Sequence, residues 1–219
     1  MWRIAAPMIL SNVSVPLLGM VDTGVMGHLE SPTYLGAVAI GGTIFTFLYI
    51  GMNFLRMGTT GIVAQRYGAE DNDGLRVALG QALIVSLAIA VVILLLQLPI
   101  GKIALSLLGG DSETQSHAAT YFYIRVWSAP GTLANYVLIG WFLGLQNARV
   151  PLLIFLAINI TNILLDLLFV VGFGMKIDGV ALASVIAEYT ALCVAIGFAA
   201  RELRRHPGHW LLARLSRLS

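Results

Sequence analysis

The chain has 219 residues, of which 58% are hydrophobic and only 11% are charged, and its formal net charge is +2. The mean hydropathy is +0.86. These values exclude a disordered chain, a nucleic-acid-binding protein and an ordinary soluble domain, since a soluble domain carries about 25% charged residues. The single cysteine, Cys193, excludes an internal disulfide framework.

The apolar residues fall into six long runs, each of about the ~20 residues that a helix needs to cross a bilayer. Lipid permits only helices and closed barrels as spanning structures, and these runs are too continuous for barrel strands. The sequence therefore predicts an all-α membrane protein with six transmembrane helices. The expected spans are residues 4–26, 34–63, 77–98, 120–145, 152–172 and 179–200.

Turn signals separate these runs. The third run stops at Pro99, and a loop is predicted for residues 101–117. After the sixth run, residues 201–219 are expected to form a basic amphipathic cytoplasmic tail or linker, of which residues 210–218 would lie on the inner leaflet. The alternative for this tail is a frayed terminus.

Basic residues predict the orientation of the chain in the membrane. If the N-terminus is cytoplasmic, nine arginines in the loops and tails face the cytoplasm. Only Lys102 and Lys176 then lie on the outer side of the membrane. We therefore expect both termini in the cytoplasm. The nine arginines are Arg3, Arg66, Arg76, Arg149, Arg201, Arg204, Arg205, Arg214 and Arg217.

The fifth run contains the most regular polar pattern inside the membrane. Asn159, Asn162 and Asp166 occur at i, i+3 and i+7, which places them on one helix face. A lone carboxylate in hydrocarbon is costly unless it is protonated, paired or hydrated. The pattern indicates a site for a proton or a small cation, and the alternative is a structural hydrogen bond between helices.

Asp22 is the acid of the first run, and it lies at a depth similar to that of Asp166. With a rise of ~1.5 Å per residue, Asp22 lies about 27 Å along its helix and Asp166 about 21 Å along its own, both from the inner side. Two carboxylates that face one cavity raise each other's proton affinity, which suits a proton carrier. The alternative for Asp22 is an interfacial residue in contact with water.

A polar stripe follows one face of the fourth run. Its arginine, Arg125, is expected to pair with an acid, because an unpaired buried guanidinium is costly. The sixth run offers Glu188, one turn from Ser184, either as the partner of Arg125 or as a third titrating site. The stripe consists of Tyr121, Arg125, Ser128, Thr132 and Asn135.

The second run contains Thr46, Tyr49 and Asn53 at i, i+3 and i+7, a pattern that also occurs at ordinary helix interfaces. Gly140 and Gly144 form a GxxxG pair, which is a helix-packing signal of low specificity.

Prolines within the spans predict bends. Pro16 and Pro130 each remove one helix hydrogen bond, and the resulting bends are either structural or part of a moving gate.

No enzyme signature is present in the sequence: it lacks GxSxG, HExxH, a P-loop and CxxC. We therefore expect no enzymatic activity, no cofactor and no metal centre of histidines. The residual alternative, an intramembrane enzyme, has only the pair His28 and Glu30 as candidate machinery. The other histidines are His117, His206 and His209.

Several segments together resemble one transporter family, the multidrug and toxic compound extrusion (MATE) family. APMILSN, VDT and GHL resemble the first helix of that family, and GLQNARVP resembles its link between the fourth and fifth helices. NILLD resembles its fifth helix, and GVALASVIAE resembles the start of its sixth. The segments LRM and LGLQ are similar to the sequences of the DinF-like branch of this family. These segments are residues 6–12, 21–23, 27–29, 144–151, 162–166, 179–188, 55–57 and 143–146.

The resemblance implies a fold and an activity. Members of the family fold as two six-helix lobes around a central cleft, so this chain would be the N-terminal lobe, residues 1–200, with part of the linker. The implied function is efflux of drugs or toxins in exchange for protons or sodium across the bacterial inner membrane. The alternative is a non-transporting fragment, or a half-protein that needs a partner lobe or a second copy.

The resemblance also implies roles for residues. The cation-coupling set would be Asp22, Asn162, Asp166 and Ser184. Pro7 matches a proline associated with bending of the first helix, and Pro16 is a second bend candidate. The candidates for the cavity that binds an amphiphilic substrate are Tyr121, Arg125, Asn159, Glu188, Tyr49 and Asn53.

One departure from the family pattern bears on the coupling ion. Some members place a fourth-helix Asn in a cation site, where this chain has Ile139 or Gly140. This favours protons over sodium, although sodium at Asp22, Asn162 and Asp166 stays possible.

Overall fold

A computed structural model describes residues 32–205 of the chain. The first expected span, residues 4–26, lies outside the described residues, and so do Pro7, Pro16 and Asp22. The amphipathic part of the tail, residues 210–218, and the pair His28 and Glu30 lie outside them as well. All regular structure within residues 32–205 is helical.

Within residues 32–205, eight α-helices form five long segments. A 3₁₀ turn, Val126–Ser128, joins α5 to α6, and a π-helix, Leu167–Gly172, continues α7. The helices are α1 (Pro32–Ile50), α2 (Asn53–Gly68), α3 (Asn72–Leu95), α4 (Gln97–Leu108), α5 (Ser112–Arg125), α6 (Ala129–Gly144), α7 (Arg149–Asp166) and α8 (Ile177–Arg205).

Four of the described helical stretches are long and apolar enough to cross a membrane. They are Thr33–Gly68, Asn72–Leu95, Arg149–Gly172 and Ile177–Arg205. The segment α5–α6 is interrupted and less apolar at its start, and it contributes a larger share of the buried core than any other described segment.

Prolines account for two of the helix breaks. Pro99 has no N–H and its ring would clash with the carbonyl of Leu95, which is where α3 ends. Pro130 likewise removes the bond to the carbonyl of Val126. That carbonyl accepts instead from the backbone N–H of Ala129, which closes a tight 3₁₀ turn between α5 and α6.

The loop predicted for residues 101–117 is wrong. The chain bends at Leu96 and continues as α4, and only a short turn at residues 109–111 precedes α5. Gly101 is buried in α4, where an added Cβ would lie 2.9 Å from the ring of Phe122. This glycine therefore permits close helix packing and does not mark a loop.

The short turn before α5 depends on two glycines and a capping aspartate. Gly109 and Gly110 have φ values of +68° and +119°, which favour glycine. Asp111 accepts hydrogen bonds from the hydroxyl and backbone N–H of Thr114, and these bonds hold the pKa of its carboxyl below the usual range. The cap thus fixes where α5 begins.

Helix α6 lies at the centre of the lobe and packs against α2, α3, α7 and α8. On the α2 side, a Cβ added at Gly140 would overlap the carbonyl oxygen of Arg56 and lie 3.1 Å from its Cα. A Cβ at Gly144 would lie 2.6 Å from Val63. The GxxxG pair therefore brings two helix backbones into direct contact.

Helix α8 closes the lobe against α5, α6 and α7. It runs to Arg205, beyond the end expected near residue 200, and its Leu203 carbonyl accepts a hydrogen bond from Arg76. Its buried face is a row of small side chains that lets neighbouring helices approach closely. The row consists of Ala183, Ala187, Ala191, Ala195 and Ala199.

Candidate functional site

The polar face of α7 points into the lobe. Asn159, Asn162 and Asp166 are 8%, 3% and 1% exposed. Asp166 is the last residue of α7, and the π-helix begins at the next residue. Such π segments within α-helices occur frequently at functional sites, because they alter the register of the side chains that follow.

Two members of the predicted coupling set are in contact. The Asn162 side-chain nitrogen, Nδ2, lies 3.3 Å from the hydroxyl of Ser184 and donates to it. Asp166 follows Asn162 by one turn on the same buried face. The fourth member, Asp22, lies outside the described residues. The structure thus assembles the α7–α8 part of the set.

A second polar cluster forms where α6 meets α8. Asn135 Nδ2 donates to Glu188 Oε2 at 2.9 Å and to the Glu188 backbone carbonyl at 3.0 Å. Gly131 lies beside this contact, and a Cβ added there would be 3.5 Å from the Glu188 backbone, an ordinary van der Waals distance. Glu188 is thereby fixed against the start of α6 by one side chain that binds two of its oxygens.

The expected pairing of Arg125 with Glu188 is wrong as a direct ion pair. Within residues 32–205, no nitrogen of Arg125 lies within 4.0 Å of a carboxylate oxygen. Its guanidinium donates to the Tyr121 hydroxyl and lies 5.1 Å from the centre of the Phe45 ring. Aromatic contacts stabilise this buried cation, while Glu188 acts on it electrostatically from further away.

Tyr49 joins the second cluster from α1. Its hydroxyl lies near Ser128 and Thr132, and it interacts electrostatically with Glu188. A turn at residues 51–52 separates Tyr49 from Asn53, which begins α2. The i, i+4 relation that an unbroken helix would give this pair therefore does not apply.

The two clusters are connected through α8. Ser184 faces Asn162 on α7, and Glu188 faces Asn135 on α6, one helical turn away. Four residues of α-helix rise ~6 Å. The cluster at α7 and the cluster at α6 are therefore adjacent, and one rigid helix carries a member of each.

The sequence did not indicate Trp141 as a functional or structural contact. Its indole N–H donates to the Leu75 carbonyl at 3.2 Å and joins α6 to α3 in the core. No spacing or motif signals this contact, because the acceptor is a backbone atom.

Other features of the described part lie apart from the polar clusters. A shallow cavity of about 400 Å³ opens at the α2–α3 turn, lined by Tyr67, Glu70 and Leu75 among others. Within residues 32–205, the structure has no group of three His, Cys, Asp or Glu side chains placed to hold a metal ion.

Comparison with known proteins shows the family. The MatE family model matches residues 7–168. The chain is 48% identical over 196 residues to the DNA damage-inducible protein F of Escherichia coli, covering 90% of this chain and 43% of that protein. It is 22% identical over 191 residues to the multidrug export protein MepA of Staphylococcus aureus, covering 87% of this chain and 42% of that one.

Solved structures have the same fold over part of their length. A transporter of the MOP superfamily from Pyrococcus furiosus matches with a TM-score of 0.86 and 24% identity, over 96% of this chain and 46% of that one. An outward-facing multidrug resistance MATE transporter matches with a TM-score of 0.83 and 25% identity, over 91% of this chain and 44% of that one.

The chain spans less than half the length of the relatives that it matches. The all-α prediction and the prediction of one lobe of a two-lobed transporter are confirmed. The chain is a multi-pass membrane protein of a transporter family and not of an enzyme family. We conclude that it belongs to the MATE family, in which its sequence is similar to DinF-type members.

Proposed function

We propose that this chain is the N-terminal lobe of a proton-coupled antiporter that exports amphiphilic drugs or toxins across the bacterial inner membrane. The observation that carries the proposal is the burial of Asp166, an acidic residue that is 1% exposed and lies on the polar face of an otherwise apolar helix. A charge so placed is costly, and in membrane proteins such residues serve transport or proton transfer by default.

The proposed cycle alternates proton and substrate at one site. Protons that enter from outside bind Asp22 and Asp166, neutralise the cavity and shift the helices around it. Bound substrate then leaves by competition for the same charge. Coupling requires that each conformation binds proton and substrate with different affinity. In this scheme Asn162 and Ser184 hold Asp166 and its helix in register with α8.

The packing around Ile139 and Gly140 supports protons over sodium as the coupling ion. Ile139 is 2% exposed and offers no oxygen ligand. Gly140 is pressed against the backbone of Arg56, which leaves no room for a ligating side chain there. Sodium prefers several oxygen ligands, and this position supplies none, whereas a proton needs only the carboxylates.

The orientation and the second lobe belong to the same proposal. The bias of nine arginines against two lysines supports a cytoplasmic location of both termini. The relatives are more than twice as long as the part of them that this chain matches, so a partner lobe would complete the cleft. The partner is a second lobe or a second copy of this chain, and the other partners are lipid and the substrate.

The substitution Asp166→Asn tests this function. We expect it to abolish proton-dependent efflux of a lipophilic cationic dye from cells that express the chain joined to a second lobe. Membrane insertion should be unchanged, because Asn replaces Asp with almost the same volume. Asp178→Asn, at the start of α8, is the matched control and should export normally. Normal export by Asp166→Asn would overturn the proposal.

A half-protein is the second candidate. Apolar side chains on α1 and α2 are strongly exposed: Phe47 is 72%, Ile50 69% and Met57 68% exposed. This surface faces either lipid or another lobe. Mass measurement of the purified chain in detergent separates the two, since a dimer indicates a homomeric transporter and a monomer without flux indicates a lobe that needs its other half.

A further inference from the structure

Three buried oxygen atoms surround the Glu188 cluster without a hydrogen-bond partner in the part of the chain that the structure describes. They are the Tyr49 hydroxyl, Thr132 Oγ1 and Asn135 Oδ1. The Tyr49 hydroxyl lies near Ser128 and Thr132, but not in hydrogen-bond geometry. Thr132 and Asn135 are only 5% and 1% exposed.

These oxygens converge on one place. Thr132 and Asn135 lie one turn apart on α6, Tyr49 comes from α1, and Glu188 comes from α8. Asn135 bonds Glu188 directly, and Thr132 interacts with both Glu188 and Tyr49. A buried polar group without a partner costs about 1–3 kcal/mol, and buried water is the usual partner where several polar atoms face one space.

Two opposing influences act on the charge of Glu188. A buried carboxylate without an ion pair is stabilised by binding a proton, whereas a guanidinium at longer range stabilises the ionised form. Arg125 supplies that longer-range charge, since its own contacts are with Tyr121 and Phe45. Both forms of Glu188 are therefore supported by its neighbours.

We propose that Glu188 is a third proton-exchanging carboxylate of this lobe, beside Asp22 and Asp166, and that it exchanges its proton with water in a pocket lined by Tyr49, Thr132 and Asn135. A hydronium ion that reaches the pocket transfers a proton to a carboxylate oxygen of Glu188 and remains as water. On release, a water molecule accepts the proton and leaves as hydronium. The proposal deepens the proposed function, because it adds a proton site next to the Asp166 cluster.

Among the described residues, the titratable groups that face Glu188 come from three helices. They are Arg125 from α5, Tyr49 from α1 and Tyr136 from α6. Asp166, at the end of α7, lies one turn along the helix from Asn162, which contacts Ser184. Ser184 and Glu188 are one turn apart on α8, and Ser184 accepts a hydrogen bond from Asn162 on α7. A change of charge at Glu188 therefore acts close to the contact between α7 and α8.

Infrared spectroscopy of the purified full chain tests this proposal without requiring transport. Glutamate labelled with ¹³C at the carboxyl shifts glutamate bands away from aspartate bands. We expect a labelled protonated-carboxyl band that titrates with pH, shifts in D₂O and is lost in Glu188→Gln. Glu202→Gln, on the same helix, is the control and should retain the band.

Further variants make the assignment specific. Glu188→Asp should move the band from the glutamate-labelled to the aspartate-labelled sample, which covers the case in which Glu188→Gln fails to fold. Thr132→Val keeps the side-chain volume and should slow the exchange of the band with D₂O. An unchanged exchange rate would overturn the role of the pocket, and a wild-type chain without a titrating glutamate band would overturn the proposal as a whole.

The two proposals fail in different ways. Proton-coupled export through Asp166 without a glutamate band leaves the transport function intact and refutes the role of Glu188. A titrating Glu188 band in a protein that exports no dye refutes the transport function alone.

Discussion

Helix α6 has two interfaces that are built in opposite ways. Towards α2, Gly140 and Gly144 bring backbone against backbone, and no added atom can be accommodated. Towards α8, Asn135 bonds Glu188, and unpartnered oxygens remain around it in the described residues. The first interface relies on close packing, and the Thr60 hydroxyl donates across it to the Gly140 carbonyl. The second is built from polar groups whose hydrogen bonding the described residues do not complete.

This difference separates packing from function within one helix. The α2–α6 interface gains stability from close contact and would lose it with any bulk, because packed interiors tolerate extra volume poorly. The α6–α8 interface contains a half-buried carboxylate, whose desolvation is costly, so that it is a poor way to join helices if stability is the only purpose. We therefore expect substitutions at the first interface to affect stability most and those at the second to affect proton binding most.

Gly140→Ala should have the largest effect on stability. Its methyl group would overlap the Arg56 carbonyl, so α2 and α6 must separate. Overpacking costs about 1–3 kcal/mol, and backbone against backbone lies at the upper end. The apparent melting temperature in detergent should fall clearly. Gly58→Ala on α2, where nothing lies within 4 Å, is the control, and equal melting of both variants would contradict the close contact.

Asn135→Leu should have an intermediate effect on stability. It removes the donor that bonds Glu188 and leaves a buried carboxylate with one partner fewer, at a cost of about 1–3 kcal/mol. The double variant Asn135→Leu/Glu188→Leu removes both groups and should be more stable than the single variant. Additive losses in the double variant would show that the two side chains do not interact.

Thr60→Val should have the smallest effect. The Thr60 hydroxyl donates to the carbonyl of Arg56 on its own helix at 2.8 Å and to that of Gly140 on α6 at 3.1 Å. Only the second bond crosses the interface, and a net hydrogen bond is worth about 0.5–1.5 kcal/mol. Thr43→Val, whose hydroxyl bonds only the Ala39 carbonyl of its own helix, is the control. A loss for Thr60→Val as large as that for Gly140→Ala would mean that hydrogen bonding, not close packing, holds α2 to α6.

The length and pattern of the apolar runs were sufficient to predict the helical class, since membrane spans impose a strong constraint on sequence. The segments that resemble the family were also recognisable in the sequence. The predicted pattern on α7 also survives, because Asn159, Asn162 and Asp166 share one unbroken helix and one buried face. Periodicity is reliable when the helix is continuous.

Periodicity fails where the helix breaks. Tyr49 and Asn53 were assigned to one face, but the turn at residues 51–52 divides them. The loop expected at residues 101–117 is mostly helix, because Gly101 serves packing against Phe122 rather than a turn. Partner choice was not predictable either: Arg125 binds Tyr121 and aromatic rings, since side-chain geometry and not charge alone selects its contacts.

Proton release on substrate binding tests the central claim most directly. Ethidium, as a lipophilic cation, is added to the purified chain in weakly buffered detergent solution, and the released protons are measured with a pH-sensitive dye. We expect release from the wild type and a loss of that release in Asp166→Asn, with no effect of sodium. Ethidium binding to the wild type without proton release, or equal release from Asp166→Asn, would contradict the claim that substrate and proton compete at Asp166.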